Sequence, residues 1–393
     1  MLNTDSATSK NRWVILGVIY CCALAFAFTF QSIPPILSLV MAELDLSHTE
    51  GGLLMSFFAL PGIVIAIPAG MLADRYNQKV LVIVAMVLMT AGTVIVASSN
   101  SLPVLALGRI ISGIGAMSIA VILPQLLAEW FAGHEIGTAM GIIHTGMPVG
   151  TVLSLSLLSI MGENLGWRTG IWLTAGLSLV ALIIFACLYA AAPIRSQRII
   201  RPPEGLFRGI WQIGIPVWMA GFAWMMLNAG HISFVTFTPD FLRTTGSSIA
   251  SAGFLTSLTM WPALVVSPLI GFVIDKIDRK RIIIAGFGFV LAGLVVWTPQ
   301  AINWIAVFIL LTGIAATIIP PPIFAIVAEV TSPERLGLGY GIVSTCLNIG
   351  LLIGPAAAGF AKDVTGSYQA SYALMSVFIV MIIPVIFFSR RRK

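Results

Sequence analysis

The chain has 393 residues, of which 58% are hydrophobic and only 9% are charged. Soluble globular proteins carry roughly 25% charged residues, so this composition excludes a soluble domain and indicates an integral membrane protein. The formal net charge is +6, but in a membrane protein the placement of the cations matters more than their sum. We therefore expect no nucleic-acid partner.

Long apolar runs alternate with short charged or turn-forming segments along the whole chain. A run of about 20 apolar residues can cross ~30 Å of hydrocarbon as a helix. The sequence predicts an all-α membrane protein with twelve such spans. They are 13–40, 51–73, 79–98, 102–128, 137–162, 167–191, 211–242, 248–275, 281–299, 303–328, 337–362 and 368–388.

The lysines and arginines lie mostly on one side of these spans. Of the twenty-one, seventeen fall in the terminal and even-numbered connections, three (Arg168, Arg243 and Lys362) fall on the other side, and Arg109 lies within a span. Because cytoplasmic loops are enriched in Lys and Arg, both termini are predicted to be cytoplasmic. The expected location is a bacterial inner membrane or a plasma membrane, with lipid as a partner.

The two halves of the chain repeat each other. The turn Gly70-Met-Leu-Ala-Asp-Arg-Tyr-Asn-Gln-Lys79 returns as Gly271-Phe-Val-Ile-Asp-Lys-Ile-Asp-Arg-Lys280, 201 residues later, and Glu129 and Glu329 are 200 residues apart. Asn77 stands at the tightest point of the first turn, where its tolerance of positive φ is expected to help. The repeat predicts two six-helix bundles at 1–191 and 211–393, joined by a basic, proline-containing cytoplasmic linker at 192–210.

These motifs resemble those of the major facilitator superfamily. The Gly-x-Leu-x-Asp-Arg-x-x-x-Lys turn after span 2 is echoed after span 8, and Arg109-Ile-Ile-Ser-Gly-Ile-Gly115 resembles the glycine-containing span 4 motif. The resemblance covers essentially the whole chain. It implies two bundles related by pseudo-twofold symmetry, a monomer, and a central site that is exposed alternately to the two sides of the membrane.

Arg109 is the one charged residue that the predicted boundaries place well inside hydrocarbon. A buried arginine costs at least ~2.5 kcal/mol on insertion scales, so it needs a partner or a watery cavity. One interpretation is that its guanidinium binds an anionic substrate. The other is structural, with hydrogen bonds to the backbone or polar groups of span 1, such as Gln31.

Polar and aromatic side chains inside other spans are further candidates for substrate binding. Span 7 carries Trp224, Asn228 and His231 on one helical face, and His231 is the repeat mate of Gln31. His144 in span 5 and His231 could titrate near neutral pH. Packing and interhelical hydrogen bonds are the commoner roles of such residues. The set is completed by Trp261 in span 8 and Asn348 in span 11.

The charged turns are expected to form the cytoplasmic gate, as the resemblance implies. Asp74 would accept hydrogen bonds from the start of span 11, and Arg75 would pair with Glu129. In the second half, Asp275 would face the start of span 5, and Lys276 or Arg279 would lie near Glu329. The alternative is that these charges only anchor and orient the loops.

The sequence contains no phosphate-binding loop and no Cys/His metal cluster, so neither an enzyme nor a cofactor is expected. The leading hypothesis is a secondary transporter of a small, anionic organic solute, driven by a gradient, with proton coupling or uniport both open. A proton-coupled exporter of drugs or metabolites is the first alternative. A membrane receptor or scaffold that transports nothing is the second.

Overall fold

The computed structural model describes residues 4–131, 135–190, 213–274, 279–331 and 335–388, and these ranges consist of helices joined by short turns, with no strand. The predicted linker at 192–210 lies outside the described residues. The first-half helices are α1 Thr4–Phe30, α2 Leu37–Leu44, α3 His48–Arg75, α4 Gln78–Ala97, α5 Leu102–Trp130, α6 Ile136–Leu165 and α7 Trp167–Leu188. The second-half helices are α8 Ile215–Thr244, α9 Ile249–Ser257, α10 Trp261–Ile274, α11 Lys280–Trp297, α12 Ile305–Ile318, α13 Pro320–Val330, α14 Leu336–Thr365, α15 Tyr368–Val380 and α16 Ile382–Phe388.

The prediction of an all-α membrane protein is confirmed. Within the described ranges, 11 segments are long and apolar enough to cross a membrane. The thirty-residue helix α8 is also long enough, since it spans about 45 Å at 1.5 Å per residue. It is more polar than the others because it carries Asn228, His231 and Asp240.

Four predicted spans are broken helices, and span 12 among them is interrupted at Met381, between α15 and α16 and three residues before Pro384. Span 1 leaves regular helix at Gln31–Ile33, before a short 3₁₀ turn at Pro34–Ile36. Span 8 is interrupted between α9 and α10, just before Pro262. Span 10 is interrupted at Ile319, before Pro320, where the three consecutive prolines predict a bend. Each break lies close to a proline, which has no N–H to continue the helical hydrogen-bond ladder.

Side-chain caps fix the starts of α3 and α4. At the start of α3, the Ser47 hydroxyl accepts from the Glu50 N–H while the Glu50 carboxylate accepts from the Ser47 N–H, which completes a capping box. Asn77 caps α4 by accepting from the Lys79 N–H, and its φ is −66°. The expectation of a positive φ at Asn77 was therefore wrong, because the side chain works as a cap on an extended backbone.

The two halves pack together through α3 against α14 and α6 against α9. Glycines allow the backbones to approach closely at these crossings. A methyl group added at Gly52 of α3 would overlap the Pro355 carbonyl of α14, and one added at Gly253 of α9 would overlap the Leu155 carbonyl of α6. We call this side, which includes His48, Glu163 and Asp363, the outer face; the side that carries the charged turns is the inner face.

Candidate functional site

A cleft separates the halves on the inner face. Along one stripe of α6, Gly137, Gly141 and His144 are exposed, whereas Thr151 and Leu155, farther toward the outer end, are buried. The same gradient runs along α14, where a methyl group added at either Gly337 or Gly341 would meet no atom within 4 Å. The described helices therefore converge at the outer face and diverge toward the inner face.

Arg109 does not line this cleft. Its side chain is 1% exposed, and its guanidinium donates to three backbone carbonyls, with Nε to Leu54 at 2.9 Å, Nη1 to Thr29 at 3.1 Å and Nη2 to Phe30 at 3.3 Å. The guanidinium carbon also lies 4.3 Å from the centre of the Phe58 ring. In this conformation the arginine ties span 4 to spans 1 and 2, and no donor direction is left open to a solute.

The break in span 1 explains why an arginine stands there. A helix pairs the N–H of residue i with the carbonyl of residue i−4, so Pro34 and Pro35 orphan the carbonyls of Phe30 and Gln31. Arg109 donates to the Phe30 carbonyl, and Ser154 of α6 donates to the Gln31 carbonyl at 2.8 Å. Side chains from two other helices thus replace the hydrogen bonds that the prolines remove, as irregular backbone in a membrane requires.

Three predicted binding residues carry buried polar atoms that have no hydrogen-bond partner among the described residues. They are Gln31, with both Oε1 and Nε2 unpaired, His231, with Nε2 unpaired, and Asn348, with Oδ1 unpaired. Each of these residues lies within about three residues of the middle of its span, and the spans are Arg12–Leu44, Ile215–Thr244 and Leu336–Thr365. At 1.5 Å per residue, this places them within roughly 5 Å of the middle of the membrane. Buried polar groups are normally paired, so these atoms need an explanation.

Asn348 also lies at the contact between the halves. Its amide oxygen is the nearest atom to the position that a methyl group at Gly62 of α3 would take, and its amide nitrogen donates to the Ser344 carbonyl of its own helix at 2.9 Å. The unpaired oxygen therefore faces the opposite half of the protein. A group that moves with that half could reach it.

The remaining predicted binding residues have more ordinary surroundings. Trp224 packs edge-on against Phe324, with ring centres 5.2 Å apart, and its backbone carbonyl accepts from the Asn228 amide at 2.8 Å. Trp261 is 46% exposed, and its indole N–H points to the Ser257 hydroxyl at 3.3 Å. His144, another predicted binding residue, lies on the exposed stripe of α6 that lines the cleft.

The charged turns show partners that differ from the predicted ones. Glu129 accepts from the Gln78 amide at 2.9 Å, where the prediction named Arg75. Glu329 pairs with Lys280, where the prediction named Lys276 or Arg279. Asp275 and Lys276 lie outside the described residues, as does the side chain of Asp74. The gate was predicted for a state closed on the inner face, which is the opposite of the state seen here, so its role stays a prediction.

Sequence reasoning missed a charged cluster at the outer face. Asp240 of α8 is 7% exposed and accepts a hydrogen bond from Tyr368, while His48 lies between Asp240 and Asp363. Arg109 is therefore not the only buried charged residue in a predicted span. Asp240 stands two residues inside the predicted end of span 7, which was the available signal.

Comparison with known proteins places the fold. The family model described as "Major Facilitator Superfamily" matches residues 19–244 and 213–393. The lysosomal dipeptide transporter MFSD1 of Danio rerio is 22% identical over 93% of this chain and 83% of its own. The hexuronate transporter of Bacillus subtilis (strain 168) is 23% identical over 85% and 84%.

A solved structure has the same architecture. The bacterial homolog to the human lysosomal transporter Spinster, in its inward-facing and occupied conformation, superposes with a TM-score of 0.84 at 16% identity and covers 96% of both chains. The similarity at this identity concerns the fold. Because the family model covers both halves, this chain belongs to the Major Facilitator Superfamily.

Proposed function

We propose that this protein is a secondary transporter that moves a small organic anion by alternating access, with Gln31, His231 and Asn348 holding the solute at mid-depth. Membership of the superfamily and relatives that carry small solutes support the transporter. The inner-face cleft is the route by which the solute leaves or enters in the conformation described here. Outer-face opening exposes the same residues to the other side.

The unpaired atoms at mid-depth carry the assignment of the site. The Gln31 amide offers both an acceptor and a donor, the His231 Nε2 offers one or the other depending on its tautomer, and the Asn348 amide oxygen offers an acceptor. A solute that pairs with all of them both donates and accepts hydrogen bonds. An organic acid that also carries hydroxyl groups has this combination, since its carboxylate accepts and its hydroxyls donate.

This geometry supports binding of the solute through hydrogen bonds from neutral side chains, rather than through an ion pair with Arg109. The donors of Arg109 are taken by backbone carbonyls, so the guanidinium is not available to a solute in this conformation. The hexuronate transporter among the relatives supports an anionic solute. Exchange of the solute between the two faces depends on the charged turns, which we propose to close the inner face when the outer face opens.

Uptake into liposomes that contain the purified protein tests the proposal. We expect a labelled hydroxylated carboxylate such as a hexuronate to accumulate, and a neutral hexose of the same size to accumulate less. His231→Ala and Gln31→Ala should each reduce uptake at least tenfold, because a lost hydrogen bond to a charged group is worth about 1.5–3 kcal/mol. Asn164→Ala is the matched control, since Asn164 bonds only its own helix, to the Ile160 carbonyl near the outer face.

Three results would overturn parts of this proposal. Equal uptake of the acid and the neutral sugar would remove the anion class. Preference for apolar drug-like compounds over both would favour the exporter alternative. Wild-type uptake by the Gln31 and His231 variants would show that the solute binds elsewhere in the cleft.

A further inference from the structure

His48 joins the two halves at the outer face. It is the first residue of α3 and belongs to the first half, and its side chain is 29% exposed. Its imidazole contacts two carboxylates of the second half, with Nδ1 3.0 Å from Asp363 of α14 and Nε2 3.5 Å from Asp240 of α8. It precedes the predicted apolar span 51–73 and so stands at the membrane surface.

The backbone beside His48 strengthens the same contact. The Asp363 carboxylate accepts from the backbone N–H groups of His48 at 3.0 Å and Thr49 at 2.7 Å, and from the Thr49 hydroxyl at 2.6 Å. These are the free N–H groups of the first turn of α3, where negative charge is favourable. We call His48, Thr49, Asp240, Asp363 and Tyr368 the outer latch.

A second, simpler contact occupies the position related by the internal repeat. Glu163 of α6, which precedes Asp363 by 200 residues, accepts from the backbone N–H of Ala250 in the first turn of α9 at 2.7 Å. The residue that corresponds to His48 is Ser248, which caps its own helix by accepting from the Ser251 N–H. The two contacts share a carboxylate on a helix end, but only the outer latch contains an imidazole.

The surroundings of His48 are mostly acidic. Helix α8 presents Asp240 and the apolar Phe237 ring, and α14 presents Asp363. Helix α15 presents Tyr368, whose hydroxyl donates to Asp240. The cation Lys362 lies 4.6 Å from the centre of the Tyr368 ring, which is also the ring that His48 contacts edge-on at 5.8 Å. On its own helix, Glu50 is engaged by Ser47.

We propose that the outer latch is a proton-binding site: a proton taken up by His48 from the outer solution holds the outer face closed. The proposal rests on the alternating access proposed above. Protonation turns each imidazole–carboxylate contact into an ion pair between the halves. Opening the outer face separates His48 from both carboxylates, so the closed state binds the proton more tightly than the open one.

The direction of the pH effect follows from linkage. The hydrogen bond to Asp240 raises the pKa of His48 above its ordinary value in the closed state, and Asp363 acts in the same sense, whereas burial opposes them. Because the pKa of His48 is raised in the closed state, protonation stabilises that state fully at pH values below the ordinary histidine pKa of about 6.5. This stabilisation is lost as the pH rises through the closed-state pKa.

This proton regulates transport and is not itself carried. His48 lies at the outer end of α3, on the face where the halves touch, whereas the cleft opens at the inner face. The proton therefore enters from and returns to the outer solution. Acidification of the outer side is expected to retain the protein in the state that opens inward.

Distances between spin labels at the outer face test the site without any solute. Ser101 in the first half and Gln369 in the second are exposed, and the side chain of Ser101 makes no capping hydrogen bond. Labels at these two positions, in protein with the four native cysteines replaced and held in nanodiscs, report opening of the outer face between about pH 5.5 and about pH 8.5. The variants compared are His48→Asn, His48→Gln and, as the matched control, Glu163→Gln.

In protein with native His48, the fraction of molecules with a short distance between the labels should fall as the pH rises. The ratio of outer-closed to outer-open protein should change by up to tenfold for each unit by which the His48 pKa differs between these two states. Both His48 variants should be insensitive to pH. Glu163→Gln should loosen the outer face at every pH and keep the pH dependence.

The proposal is overturned by a wild-type distance that does not respond to pH, by pH dependence that survives in both His48 variants, or by its loss in Glu163→Gln. These outcomes are separate from those of the uptake experiment, because no solute is present. A protein that changes its outer distance with pH but transports no acid would retain the proton site and lose the proposed substrate.

Discussion

Replacement of Arg109 by methionine should destabilise the folded protein more than it weakens solute binding. Methionine has a similar length and fills the site without donating hydrogen bonds. The change leaves the carbonyls of Thr29, Phe30 and Leu54 without the guanidinium. Arg109→Met therefore removes the support of the span 1 break while the mid-depth polar groups stay in place.

The expected magnitude follows from those three contacts. A hydrogen bond to a charged group contributes about 1.5–3 kcal/mol, so losing three costs roughly 4–9 kcal/mol before compensation. Of the three carbonyls, that of Phe30 is the one left unpaired, because Ser32 still donates to Thr29 and Leu54 lies inside α3. Removing a buried charge returns part of this, because its desolvation penalty is several kcal/mol. We expect a net loss of about 3 kcal/mol in the free energy of unfolding. Ser154→Ala, which orphans only the Gln31 carbonyl, should cost about 1 kcal/mol.

A second substitution makes the reasoning specific to the prolines. Alanine at position 34 supplies the N–H that a regular helix would donate to the Phe30 carbonyl. In a double-mutant cycle, Pro34→Ala should reduce the cost of Arg109→Met by about 1 kcal/mol. If Pro34→Ala and Arg109→Met act independently, the cycle should instead give no coupling energy.

Denaturant unfolding of the purified protein, with and without solute, measures these quantities. Solute binding stabilises the folded protein by mass action, so a retained ligand-induced shift in Arg109→Met shows an intact site. Normal stability combined with loss of that shift would refute the structural role and restore Arg109 as a substrate ligand. Arg109→Lys should behave like the methionine variant in part, since an ammonium group cannot match the planar fork that reaches three carbonyls.

The other predictions concern the two faces. Gly253→Val should hold the outer face open in the spin-label experiment, because added atoms would overlap Ser159 and the α6 backbone. Gly141→Val adds atoms to open space in this state, so it should leave the outer distance unchanged and abolish uptake by blocking inner closure. Lys280→Gln should change the free energy of unfolding by less than about 1 kcal/mol, since its partner Glu329 is 56% exposed. If this pair belongs to the inner gate, the same substitution should alter the uptake rate. An unchanged rate would favour a loop-anchoring role.

The prediction of apolar membrane helices was confirmed because it depends on averages over many residues. A run without charge must cross the membrane as a helix whatever its neighbours are, since lipid offers no hydrogen-bond partners. The break in span 1 was harder to predict. Pro34 and Pro35 indicate a local disturbance of the helix, but a helix can kink and continue past a proline. The sequence alone therefore does not determine whether the helix breaks.

The partners of charged residues depend on contacts that a sequence does not encode directly. The turn after α3 places Gln78, rather than Arg75, against Glu129; Gln78 is three residues farther along the chain and begins the next helix, α4. Asp240 escaped notice because an error of two residues in a span boundary decides whether a carboxylate is buried or wet. Its burial comes from Tyr368 and His48, which belong to distant parts of the chain.

The functional features are concentrated where the two halves differ. The repeat supplies matching helices and matching carboxylates, such as Glu163 and Asp363, and this equivalence is what lets two bundles rock against each other. Arg109 has Ile309 as its repeat mate, and His48 has Ser248. The axis that relates the two halves runs along the membrane normal, so the repeat makes the halves alike but does not make the two faces alike. We propose that the broken span 1 gives one half a distinct binding surface and that the imidazole of the outer latch gives one face a distinct response to protons.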